Sequence, residues 1–171
     1  VLNQWEVIKK TERSEAGNAD SILDGVPASL PALLRAYQVQ KRAARVGFDW
    51  NKPEQVVEKL DEEIQELRET TNHHEKSLPP KKQNNTSLNA IEHEFGDVLF
   101  TIANLARFLN VNPEEALRKS CNRFIHRFVN MEQQATANGK DLQQLTPKEW
   151  NIFWENAKRQ EEATDKLRPS L

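Results

Sequence analysis

Cysteine occurs once, at Cys121, which excludes an internal disulfide and suits a reducing cytoplasm. Glycine occurs five times in 171 residues, and clear alternating β-type runs are few. The chain is instead rich in Leu, Ala, Glu, Lys, Arg and Gln, all good helix formers, so an all-α fold is expected, with one domain large enough to bury a core. No apolar run is long enough to span a bilayer, and no signal peptide is recognisable. An excess of one charge is also missing: 24 basic residues face 26 acidic ones, a formal net charge of -2. Such a balance offers no global attraction to nucleic acid or to an anionic membrane, and neither is expected as a partner. The sequence lacks a Gly-rich phosphate loop, a zinc-ligand spacing, a Ser-His-Asp set and the Glu-x-x-His pairs of a di-iron bundle. It opens on Val1 where a nascent chain has Met, which suggests a processed protein or a piece of a longer one.

What is present is helical periodicity. A short helix over about Asn3–Ser14 and a linker to Ala28 make residues 1–28 a peripheral segment. The main domain is expected over 29–162, and 163–171 as a C-terminal tail. Its first helix is expected over Pro31–Val46, with Ser29 as candidate N-cap and Gly47 just past the end. A second covers about Pro53–Glu69, with Val57, Leu60, Ile64 and Leu67 at three- and four-residue steps. Residues 70–89 are polar, contain Pro79-Pro80 and lack periodicity, so they are expected to form a long insertion or mobile loop. A third helix runs over about Leu88–Leu109, with Ile91, Phe95, Val98, Ile102, Leu105 and Leu109 on one face. Asn112-Pro113-Glu114-Glu115 starts a fourth that reaches roughly Ala137, and Thr146-Pro147-Lys148-Glu149 is a capping box for a fifth.

Two acidic clusters carry the chemistry. At about 100° per residue, positions three or four apart share a helix face, so Glu63 lies beside Glu66, and Glu94 beside Asp97. Both pairs are expected on the flanks of apolar stripes. If the second and third helices pack antiparallel, the four carboxylates converge, and Gly96 beside Asp97 would permit close approach of a neighbouring helix. Four converging carboxylates repel one another unless a cation intervenes. Mg²⁺, with Mn²⁺ as the alternative, takes hard oxygen ligands of this kind and leaves positions for water and phosphate. Glu62, on the adjoining side, is the spare carboxylate for a second ion or for orienting a water.

Positive charge is placed to match. Lys59 is either an ion-pair partner of Glu63 or a phosphate contact. On the fourth helix Leu117, Cys121, Phe124, Phe128 and Met131 form an apolar stripe, with Cys121 read as a small buried hydrophobe. Arg123 and Arg127 sit one turn apart on its flank and could grip phosphate oxygens. On the fifth, Trp154 and Lys158 could stack on a base and meet a phosphate. The bland alternatives are solvated charged faces and core aromatics, and His73 and His74 are read as solvated.

These residues together resemble the MazG family of all-α nucleoside triphosphate pyrophosphohydrolases. The resemblance rests on Glu62-Glu63-x-x-Glu66, Glu94-x-x-Asp97, Gln38-Val39-Gln40-Lys41-Arg42, Val46-Gly47-Phe48-Asp49-Trp50, Gly96-Asp97-Val98-Leu99-Phe100 and Trp154-x-x-x-Lys158-Arg159-Gln160-Glu161. It covers roughly Trp5 to Glu162 and is closest to the second of the two units in the longer MazG proteins; the 70–89 segment is longer than expected for the bacterial type. The resemblance implies a bundle of four to five main helices completed by homodimerisation, and Mg²⁺-dependent cleavage of a nucleoside triphosphate to monophosphate and pyrophosphate. Glu63, Glu66, Glu94 and Asp97 would be ligands, Glu62 and Lys59 catalytic, and Lys59, Arg123, Arg127, Trp154 and Lys158 nucleotide contacts. Broad-specificity cleansing of the nucleotide pool is the expected role. A dedicated dUTP, dCTP or phosphoribosyl-ATP enzyme and a non-enzymatic dimerising or regulatory module are the alternatives.

Overall fold

The computed structural model describes residues 21–77 and 85–167, with side chains over 21–73 and 88–163. The expected helix over Asn3–Ser14 and the last residues of the C-terminal tail lie outside them. Among these residues five α-helices follow one another: α1 (Ala32–Ala44), α2 (Pro53–Ser77), α3 (Asn85–Phe108), α4 (Pro113–Ala137) and α5 (Pro147–Leu167), with a 3₁₀ turn at Leu142–Gln144. No strand occurs among the described residues, and no helix there is long and apolar enough to cross a membrane. Two compact units divide the chain, one up to Glu114 and one from Glu115.

In the first unit α2 pairs with α3, and α1 packs on α3. Arg107, at the end of α3, meets Asp49, just before α2. Glu63 within α2 meets Glu94 and Asp97 near the middle of α3. The pair is therefore antiparallel, as the acidic pattern requires. Arg107 holds its end of the pair with a fork: Nη1 donates to Asp49 Oδ2 at 3.0 Å, and Nη2 bonds the other oxygen of the same carboxylate. Asn104 Oδ1 accepts two further bonds from the guanidinium, which also lies 4.5 Å from the Phe108 ring. Gln40 of α1, itself buried, donates from Nε2 to the Phe100 carbonyl at 2.8 Å.

Several boundaries differ from the sequence reading. Helix α1 starts after Pro31, whose ψ of 142° is extended, and no side chain caps it, so Ser29 is not the N-cap. Gly47 does lie just past the helix, at φ 88°. Most of the stretch expected to be a long loop is helix: α2 continues to Ser77 and α3 begins at Asn85. Polarity had been read as irregularity, yet residues 70–77 contain neither Pro nor Gly. Thr71 donates back to the Leu67 carbonyl at 2.7 Å, keeping its hydroxyl within the helix, and Gln65 bonds Glu69 one turn on. Residues 78–84 lie outside the described part. Of the linker, residues 22–25 are fastened to α1, because Arg42 donates to the carbonyls of Ile22, Asp24 and Gly25. A Cβ on Gly25 (φ 146°) would stand 2.6 Å from that guanidinium.

The apolar stripes are also more divided than their spacing suggests. On α2 the fully buried residue is Val56, while Val57 is 43% exposed. On α3 Val98 is buried and Ile91 and Leu105 are half-buried, but Phe95, Leu99 and Ile102, and Leu109 just past its end, are 40–60% exposed. The helix thus carries two adjacent apolar strips, only one of them covered among the described residues. Gly96 has open space around it, with no described atom within 4 Å of a Cβ placed there, so it serves no close approach among the described residues.

The second unit is a helical hairpin. Met131 and Ala135 of α4 and Ala157 of α5 are buried. Phe124 stacks on Phe128 and meets Trp154 at 5.6 Å, and Phe128 stacks on Trp150. Cys121 is exposed, contrary to the expectation of a buried thiol, because the hairpin covers α4 from Phe128 onward more fully than its first turns. The capping box at α5 is formed: Thr146 Oγ1 accepts from the Glu149 amide, and Glu149 Oε2 accepts from the Thr146 amide at 2.8 Å. Lys140 pairs with the other oxygen of Glu149. These bonds, that of Lys140 foremost, hold the Glu149 carboxyl down at about 2 against an ordinary 4.5.

Thr146→Ala is expected to destabilise the fold by about 1 kcal/mol in chemical denaturation, the usual cost of a lost cap. Glu149→Gln tests the charge. Because the folded carboxyl is depressed, its stabilisation is complete above about pH 4.5 and is lost as pH falls toward about 2. Denaturation curves of wild type and Glu149→Gln should be separated at neutral pH and converge over that interval; a gap independent of pH would contradict the assignment.

Candidate metal centre

Glu63 lies in the buried line of α2, seven residues from Val56 and from Thr70, positions that return to nearly the same helical angle. It does not sit on the flank where its spacing had placed it, and it is only 6% exposed. Glu94 and Asp97 face it from α3. One carboxylate oxygen from each of the three lies within 4.8 Å of the others. Glu66 follows Glu63 by one turn and lines the same cavity without entering that tight group. The cavity has a volume of about 460 Å³, and its walls also include Lys59, Glu69, Thr70, His73 and His93.

Lys59 is the ammonium on this wall. Its Nζ stands 2.9 Å from Glu62 Oε1 and 2.9 Å from Glu63 Oε1, spanning the neighbouring turn of the same helix. The bonds to Glu62 and Glu63 raise the ammonium above its ordinary value. Of the two readings left by the sequence, the ion pair is the one formed here. Glu62 is well exposed and engaged with Lys59, outside the cavity wall. Partial desolvation, then repulsion from Glu63, raises the Glu66 carboxyl above its usual range, the response of a carboxylate among like charges.

Two histidines join the cavity wall. His73 extends the helical row Glu66, Glu69, Thr70 on the lengthened α2, and became a wall residue because that helix did not end at Glu69. His93 precedes Glu94 and points its Nε2 at Asp97 Oδ2, 3.5 Å away. An i to i+4 spacing of His93 and Asp97 was available in the sequence to suggest it. The side chain of His74 lies outside the described residues.

The other candidate contacts belong to the second unit. Arg127 Nε donates to Glu161 Oε2 at 2.6 Å, and its guanidinium lies 5.7 Å from the Trp154 ring. Trp154 is half-buried beside Phe124, and Lys158 is bound to Glu155 at 2.8 Å. Arg123 is exposed on α4. Arg127 and Trp154 are thus brought together, whereas Lys158 is committed to a local carboxylate.

Three carboxylates of this kind, hard oxygen donors within one ligand sphere's width, fit a divalent cation such as Mg²⁺ better than a soft metal, for which no thiolate is at hand. Fold and site define the class: an all-α protein whose paired helices present an acidic, cation-accepting cavity.

Comparison with known proteins narrows the class. Residues 51–131 match the MazG nucleotide pyrophosphohydrolase domain, a span that contains Glu62, Glu63, Glu66, Glu94 and Asp97. The chain is 40% identical over 155 residues to the nucleoside triphosphate pyrophosphohydrolase/pyrophosphatase MazG of Thermotoga maritima, covering 91% of this chain and 54% of that protein. It is 38% identical over 161 residues to the nucleoside triphosphate pyrophosphohydrolase of Escherichia coli K12, covering 94% and 57% respectively. The same identity relates it to the uncharacterized protein YabN of Bacillus subtilis, of which it covers 30%. The chain therefore belongs to the MazG family, and it spans about half the length of the first two relatives.

Replacing Glu94 by Gln should weaken Mg²⁺ or Mn²⁺ binding by at least roughly tenfold in calorimetric titration, since one of the three clustered ligands loses its charge. The metal-free variant should be at least as heat-stable as wild type, because a repelling charge has been removed. Unchanged metal affinity would place the cation elsewhere.

Proposed function

We propose that this chain is a Mg²⁺-dependent nucleoside triphosphate pyrophosphohydrolase, cleaving ribo- or deoxyribonucleoside triphosphates to the monophosphate and pyrophosphate, with broad specificity suited to clearing the nucleotide pool. The observation that carries the reading is the group of Glu63, Glu94 and Asp97 within 4.8 Å, beside Lys59, in a cavity open to substrate. Membership of the MazG family, and the printed activities of the Thermotoga and Escherichia relatives, support the reaction class.

In this proposal Glu63, Glu66, Glu94 and Asp97 hold the cation, Mg²⁺ by preference and Mn²⁺ as a substitute. A bound divalent ion would polarise the phosphate chain and make water a better nucleophile. Glu62 orients or deprotonates the attacking water, and Lys59 supplies positive charge to the phosphates once released from Glu63. Arg123, Arg127, Trp154 and Lys158 serve as nucleotide contacts: the guanidiniums and ammonium for phosphate, the indole for the base. A homodimer belongs to the same reading. Phe95, Leu99 and Ile102 form an exposed apolar strip on α3, and Phe124 and Ile125 on α4 are more than half exposed, surface that a second copy would cover. A cytoplasmic setting would supply both Mg²⁺ and nucleotides.

Product analysis by anion-exchange chromatography, after incubation with each ribo- and deoxyribonucleoside triphosphate and Mg²⁺, tests the proposal. Monophosphate and pyrophosphate should appear with wild type and fall by at least about 100-fold with Glu63→Gln, the loss expected when a buried ligand is neutralised. Activity confined to dUTP, dCTP or phosphoribosyl-ATP would identify a dedicated enzyme. No turnover would favour a dimerising or regulatory module, and diphosphate with inorganic phosphate would overturn the reaction.

A further inference from the structure

We infer that Lys59 is the protein's own stand-in for the metal: its ammonium neutralises Glu63 in the metal-free site and must yield that carboxylate's charge when a divalent cation arrives. The inference rests on the reading of Glu63, Glu94 and Asp97 as a cation site, and concerns how that site is regulated.

Three observations meet at this residue. Glu63 is the buried member of the cluster, with a side chain 8% exposed, and a charge so placed needs a counter-ion before any metal is bound. Lys59 provides it from one turn away on α2, at 2.9 Å, while Glu62 anchors the same ammonium from outside at 2.9 Å. Among the described cavity-wall residues Lys59 is the single permanent cation, the other basic groups being the imidazoles of His73 and His93. Glu62 lies off the wall and is not one of the three clustered acids, so its pairing with Lys59 survives the exchange. The ammonium therefore has a place to go. It can swing on its flexible stem from the Glu62–Glu63 bridge toward Glu62 alone, which turns its free donors to the cavity mouth.

This arrangement sets metal and lysine in competition. A dication beside Glu63 meets an ammonium already there, and their repulsion lowers metal affinity below what the carboxylates alone would give. In return the metal-free helix pair is spared an uncompensated buried charge. Lys59 would also be withheld from substrate phosphate until the metal has bound, favouring metal before nucleotide.

The test uses the full chain, the metal alone as probe, and two readouts: Mn²⁺ affinity by calorimetry and the thermal midpoint with and without metal. Lys59→Gln keeps a hydrogen-bond donor for Glu63 but removes the charge; it should bind Mn²⁺ roughly fivefold or more tighter than wild type. Its metal-free midpoint should be lower, and saturating Mn²⁺ should close the gap. Lys59→Arg, which keeps the charge, should stay within about twofold of wild type in affinity. Should Lys59→Gln be too unstable to measure without metal, Glu62→Gln gives a second arm: with its outer anchor gone, Lys59 rests on Glu63 alone and Mn²⁺ should bind more weakly. Weaker or equal Mn²⁺ binding by Lys59→Gln would overturn the inference and make Lys59 a support for the ligands. Absence of any Mn²⁺ binding by wild type would instead overturn the metal site itself, so the two failures are told apart.

Discussion

A carboxylate at a helix-helix interface cannot remain ionised without positive charge nearby, and Glu63 is such a carboxylate. It occupies a position that Val56 and the apolar residues of α2 define as core, yet carries a charge that the core cannot hold unaided. Everything around it answers to this constraint. Lys59 closes on it from the preceding turn, Glu66 resists ionisation beside it, and α3 brings two further carboxylates to within 4.8 Å. The antiparallel register of α2 and α3 is the means of assembly. Arg107 fixes that register from the far end by gripping both oxygens of Asp49, with the acids gathered at a distance along the same pair.

Much of this was legible beforehand. Helices leave a strong signature in spacing and capping, and the starts at Pro53, Pro113 and Pro147 fell where proline, flanking polar residues and the Thr146–Glu149 box directed. The acidic set could be read because an i to i+3 relation is independent of tertiary context. Less accessible was anything that depends on which side of a stripe is covered. Val57 and Val56 differ by one position, and the choice between them follows from the angle at which α3 docks, information no single helix contains. Polar residues 70–77 looked irregular because an amphipathic pattern was sought, whereas a helix propagating from a packed segment needs only the absence of breakers. His73 was overlooked for the same reason. The burial of Cys121 was expected from a stripe that the hairpin covers only in part.

The two compact units divide the chemistry in a way the sequence could not announce. Acids and Lys59 lie in the first, aromatic and guanidinium groups in the second, and within the second Arg127 is already held by Glu161 and stacked near Trp154. That pre-arrangement places the guanidinium over the indole ring while its charge is met by Glu161.

Helix α3 deserves a last thought as an object under simultaneous demands. Going round its circumference, one meets Val98 turned to the core, Phe95, Leu99 and Ile102 turned outward as an apolar strip, and Glu94 with Asp97 turned to the cavity. The Phe100 carbonyl is taken by Gln40, and Arg107 is spent on Asp49. An ordinary surface helix keeps a solvent side on which substitutions accumulate at little cost. Through its middle turns the exposed side of this one is itself largely apolar, made by Phe95, Leu99, Phe100 and Ile102. Sequence drift in the first unit should therefore be absorbed by α1 and the outer face of α2, leaving α3 as its slowest-changing segment and the most reliable stretch by which distant relatives of this chain can be recognised.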